Sequence, residues 1–146
     1  MPRRWIAPTV GTLLVAIVSG CGVGTGTMRI ADAEASVVAI VEDVVAAVGA
    51  TVDAPVAAAP LEPCQLRTGD AGLRTRVSVR VPLGDGPDAL AEAIDAAAAV
   101  LVARELPIVE SGVPGTLLGQ RDGLTVTVGS DGRVLEVDAL TGCRPR

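Results

Sequence analysis

LTVTVGSDGRVLEVDAL, residues 124 to 140, carries two alternating runs about a turn. Leu124, Val126 and Val128 alternate with Thr125 and Thr127. Leu135 and Val137 alternate with Val134, Glu136 and Asp138. A period of two belongs to strands with one buried and one wet face, so this stretch predicts a hairpin through GSDG. Keeping both apolar sets on one face requires an even loop, either two residues at Asp131-Gly132 or four from Gly129 to Gly132.

The same period appears earlier. Leu73, Thr75, Val77, Val79 and Val81 alternate with Arg74, Arg76, Ser78 and Arg80, which predicts one strand over 73–81. GDGP breaks it, with Asp85 or Gly86 at a helix cap and Pro87 in the first turn. The period then lengthens: Leu90, Ile94, Ala97 and Leu101 form the apolar stripe of a helix reaching about Arg104, while Asp88, Glu92 and Asp95 face water. Residues 106–116 hold Pro107, Gly112, Pro114 and Gly115 and read as a loop; Leu117 and Leu118 begin a short strand before a turn at Asp122-Gly123.

Upstream, Val37, Val38, Val41, Val44, Val45 and Val48 share one side of a helical wheel, predicting an amphipathic helix over 33–49 with Asp32 and Gly49 at its ends. Residues 50–63 are rich in Ala and Pro and predict an extended connection, which leaves open whether the helix docks on the domain at 64–146. Helix, strand, helix and strand meander together imply an α+β fold: two helices on one face of a small, mostly antiparallel sheet of three or four strands.

The chain has 146 residues, of which 49% are hydrophobic, enough for one core. All 12 basic residues are Arg, and the segment from Cys21 onward holds ten of them against 17 Asp and Glu. That acidic balance argues against nucleic acid as a partner. The sequence lacks His, Tyr and Phe, and its single Trp is Trp5. Without His there is no Ser/His/Asp triad and no imidazole metal ligand, so neither a catalytic constellation, a metal site nor a cofactor is expected.

Residues 1–20 have the three-part plan of a secretory signal peptide: Arg3 and Arg4, an apolar run broken by Pro8 and Gly11, then small residues. Val18-Ser19-Gly20-Cys21 resembles the lipobox of bacterial lipoproteins. The resemblance implies that the Cys21 thiol receives a diacylglyceryl group, that the chain is cut before Cys21, and that the protein stays anchored on the extracytoplasmic face of the cell membrane. Arg3-Arg4 invites a twin-arginine export reading, but the following Trp5-Ile6-Ala7 matches that pattern poorly, so unfolded export is expected. Residues 21–32, opening CGVGTGT, read as a flexible lipidated tether. The layout, with its Cys143-Arg144-Pro145 ending, is also similar to small actinobacterial lipoproteins.

Placing the chain outside the cytosol leaves Cys64 and Cys143 in an oxidising compartment, where an even pair is most simply a disulfide; two free thiols are the alternative. Closing a loop of about 80 residues would add roughly 4 kcal/mol on the chain-entropy model. Arg74, Arg76 and Arg80, neighbours about 7 Å apart on one strand face, are a candidate anion cradle unless Glu136 and Asp138 pair with them across the sheet. Asp85, Asp88, Glu92 and Asp95 read as solvated helix-start acids. The expected function is a membrane-anchored, non-enzymatic binding or structural envelope module whose partner is an envelope protein. The alternative is a carrier of a lipid or other apolar ligand in a cavity between helices and sheet.

Overall fold

A computed structural model describes residues 28–146; the expected signal peptide at 1–20, Cys21 and most of the expected tether at 21–32 lie outside the described residues. The fold is α+β, with two helices and two antiparallel sheets. Helix α1 spans Ile30–Ala47 and helix α2 Ala89–Ala103. Strands β3 (Arg76–Pro82), β4 (Ile108–Val109), β5 (Leu117–Arg121), β6 (Leu124–Ser130) and β7 (Val134–Leu140) form a sheet in the order β3-β7-β6-β5-β4. Strands β1 (Glu62–Gln65) and β2 (Ala71–Arg74) make a separate hairpin.

Five strands plus a pair replace the expected three or four. The run at 73–81 is not one strand: it breaks at Thr75, and its first part pairs with β1 while the rest pairs with β7. Thr75 is buried at this break, where its N–H donates to Thr141 Oγ1 (3.0 Å) and its hydroxyl to the Ala59 carbonyl (2.6 Å). The Pro- and Gly-rich segment 106–116 contributes β4, held to β5 through Ile108↔Gly119 and Val109↔Leu118. Backbone pairing makes this edge strand, and two residues are too few for a period to show.

The hairpin keeps the expected parity with a shifted turn. Ser130 pairs with Leu135, and Asp131 N–H reaches the Val134 carbonyl at 3.3 Å, so Gly132 and Arg133 form the turn. Asp131 holds it by accepting N–H bonds from Arg133 (3.0 Å) and Val134 (2.9 Å), while Gly132 takes a φ of +94° that favours glycine. Between β5 and β6, Asp122 and Gly123 both have positive φ, as a two-residue primed turn requires.

Valine-rich alternation makes one sheet face apolar, and both helices lie on it. Val77, Val81, Val126, Val128, Leu135 and Val137 are buried against Val37, Val41 and Val44 of α1 and Ala97 and Leu101 of α2. Helix α1 therefore docks, leaving Asp32 in its first turn rather than at its cap; the cap is Arg29. It ends in a Schellman motif, with Gly49 N–H on Ala46 O and Ala50 N–H on Val45 O. Helix α2 turns its small residues inward: Ala93, Ala97 and Leu101 are buried, and Leu90, expected in the stripe, is exposed. That choice lets the helix approach Gly119, where a Cβ would lie 3.2 Å from a Leu101 methyl.

Candidate functional site

Cys64 and Cys143 are joined in a disulfide, with Cα atoms 5.9 Å apart. It ties β1 to the C-terminal segment, whose Arg144 exchanges both backbone hydrogen bonds with Leu73 of β2. Pro145 O then accepts the N–H of Ile30 at 3.0 Å. Arg144 itself is buried: its Nε donates to Thr141 O at 3.1 Å, and its Nη2 has no hydrogen-bond partner among the described residues. No local pattern distinguishes this arginine from the other eleven, so sequence reasoning missed its burial.

The three candidate anion-binding arginines are not brought together as a free cradle. The break at Thr75 puts Arg74 in the small sheet, where its Nε meets Glu62 Oε2 at 3.1 Å. Arg80 lies across from Glu136, with Nη2 3.0 Å from Oε1, and approaches Asp131 at 3.6 Å. Asp138, the other acid considered, accepts the Ser78 hydroxyl. Arg76 alone has no ion pair among the described residues, and its strand partner is Leu140. One exposed guanidinium does not make the convergent donor set a bound anion needs.

A cleft of about 580 Å³ opens where the end of α1, the end of β3 and the start of α2 converge. Its apolar walls come from small side chains, among them Ala47, Val48, Ala89, Ala93 and Ala96, and Glu92 is the charged residue in its lining. The segment between the lining residues Gly84 and Ala89 carries Asp85 and Asp88. Asp88 is the N-cap of α2 without a side-chain capping bond. The four acids read as solvated, Asp85, Asp88, Glu92 and Asp95, are indeed exposed. The cleft beside three of them was invisible in the sequence because it is made by side chains too small to fill the space. A smaller groove of about 340 Å³ runs along 109–116.

Among the described residues no group of three or more His, Cys, Asp or Glu is placed to hold a metal ion, and no helix is long and apolar enough to cross a membrane. The chain matches no protein family, no curated protein and no solved structure.

Proposed function

We propose that this chain is a lipid-anchored extracytoplasmic module that binds or braces an envelope protein and performs no chemistry of its own. The observation that carries the reading is the Val18-Ser19-Gly20-Cys21 box placed eight residues before the first turn of a disulfide-closed domain. Two acyl chains hold such a terminus stably, and the oxidised Cys64–Cys143 link suits the same compartment. Support for a non-enzymatic role comes from the side-chain inventory: the sequence lacks His, and both cysteines of the domain are consumed in the disulfide.

Processing tests the reading. Inhibiting the lipoprotein signal peptidase should accumulate a larger precursor, and the intact mass of membrane-derived protein should begin at Cys21 with fatty acids attached. A Cys21→Ser protein that is still cut and still held in the membrane would overturn it.

Carriage of an apolar ligand is the second reading, and the cleft is the observation in its favour. Binding to a protein has the stronger support, because valine and leucine side chains fill the space between helices and sheet where a carried lipid would lie. Organic extraction of protein purified from its membrane, followed by mass analysis, separates the two: a stoichiometric apolar ligand favours carriage.

A further inference from the structure

The geometry points to a redox-released latch: a dithiol reduces the Cys64–Cys143 disulfide, and the tail at 143–146 then leaves the domain, uncovering Arg144 and freeing the start of α1. The device rests on the fold and is independent of the lipid anchor and of the envelope partner.

The tail is lightly held. Cys64 and Cys143 are both half-buried, and Cys64 belongs to β1, which pairs with β2 alone among the described residues. Beyond the disulfide, three backbone hydrogen bonds fasten residues 143–146: the reciprocal Leu73–Arg144 pair, at 2.8 Å each, and Ile30 N–H on Pro145 O. The buried core between helices and sheet contains none of these four residues, so the domain does not need them to stay packed.

Arg144 drives the release. It is only 7% exposed, yet its Nη2 has no hydrogen-bond partner and its guanidinium no ion pair among the described residues. Nε donates to the Thr141 carbonyl at 3.1 Å, and Nη2 lies against Gly123, where a Cβ would come within 3.0 Å of it. Burying a charge so poorly compensated is unfavourable, and the S–S bond holds it in place. How easily a disulfide is reduced follows the relative stability of its two forms. A group that is unfavourable only in the closed form therefore makes the bond easier to reduce.

In the exchange a thiolate of the dithiol bonds to Cys64 Sγ, the S–S bond breaks, and Cys143 leaves as a thiolate that takes a proton. The second thiol of the dithiol then displaces Cys64, which takes its proton. The dithiol ends as a disulfide and the domain gains two thiols. With the cross-link cut, Arg144 recovers its hydration by leaving, and Ile30 N–H loses its acceptor.

The test uses the full chain carrying Cys21→Ser, isotope-labelled in uncharged detergent micelles and equilibrated in mixtures of reduced and oxidised dithiothreitol. On reduction the amide signals of Cys143, Arg144 and Arg146 should move to random-coil positions and Ile30 should lose its native shift, while Val77, Val126 and Val137 keep theirs. Arg144→Met retains the length of the side chain and removes the charge. It should need at least about fivefold more reduced over oxidised dithiothreitol to reach half reduction, the factor that one unsatisfied buried donor supplies. Arg144→Leu should shift the same way, so the packing of a single replacement does not decide the result. Native tail shifts in the reduced Arg144 chain overturn the inference, as does loss of the core signals together with those of the tail. Half reduction of both variants at the ratio that suffices for the Arg144 chain also overturns it.

Discussion

The backbone N–H of Ile30 donates to the carbonyl of Pro145 at 3.0 Å, joining the first residue of α1 to the second-last residue of the chain. This bond supplies what a capping side chain usually does, since Arg29 offers none. Because the disulfide fixes the neighbouring Cys143, the helix start is held by a segment that is itself covalently held.

Replacing both Cys64 and Cys143 by Ala should therefore lower stability by roughly 4 kcal/mol, since the cross-link spans 79 residues. Urea denaturation followed by far-UV circular dichroism measures this. Native-state hydrogen exchange should show its largest acceleration at Ile30, Leu73 and Arg144. Uniform acceleration across the domain would mean that the C-terminal segment is not held through the disulfide.

Gly119 and Leu101 should be energetically coupled. A Cβ at 119 would lie 3.2 Å from Leu101 Cδ1 and 3.3 Å from Leu106 Cβ, so Gly119→Ala overpacks and should cost about 1–3 kcal/mol. Leu101→Ala, at a fully buried position, should cost about 2–5 kcal/mol. In the double variant the new methyl occupies part of the vacated space, so the loss should be clearly less than additive. Strict additivity in a thermal-denaturation cycle would contradict the close approach of α2 to β5.

Thr141→Val keeps shape and removes the hydroxyl that accepts Thr75 N–H at 3.0 Å in a buried setting. Leaving that donor unsatisfied should cost about 1–3 kcal/mol. Thr68→Val is the control: its hydroxyl bonds exposed Asp70, and the change should be within measurement error.

Asp131 should titrate below the usual carboxylate range. The backbone N–H groups of Arg133 and Val134 bond its charged form, and Arg80 adds to the effect. A folded value below the unfolded one means the contribution is fully present above the ordinary aspartate range. It is lost as pH falls through the lowered folded value. Carboxyl-detected NMR titration should place Asp131 below the ordinary aspartate range, and Asp131→Asn should flatten the acid limb of the stability curve. A midpoint within or above that range would contradict the turn geometry.

What the sequence made legible was whatever had to repeat. The alternation at 124–128 and 134–138 and the valine face of α1 are the marks of surfaces buried on one side, and those elements lie where the periods place them. Even loop parity followed from the same constraint, but the turn lies at Gly132-Arg133, one residue beyond Asp131-Gly132, because Asp131 bonds the backbone after it, which no hydrophobic pattern encodes. The β1–β2 hairpin and β4 were missed since their pairing is a backbone matter and their side chains are mostly exposed. The arginine trio failed at Thr75, where alternation continues through a change of sheet. Burial of Arg144 and the cleft beside Glu92 come from tertiary contacts alone.

The ring-free core, assembled from Val, Ala, Leu and Ile, makes the domain almost dark in the near ultraviolet, with cystine as its one weak chromophore. Because Trp5 is the only aromatic side chain in the sequence, indole emission from purified material reports on nothing but the first twenty residues. On the proposed cut before Cys21, a fluorescent preparation would be an unprocessed one, and its brightness would measure the fraction that has kept residues 1–20.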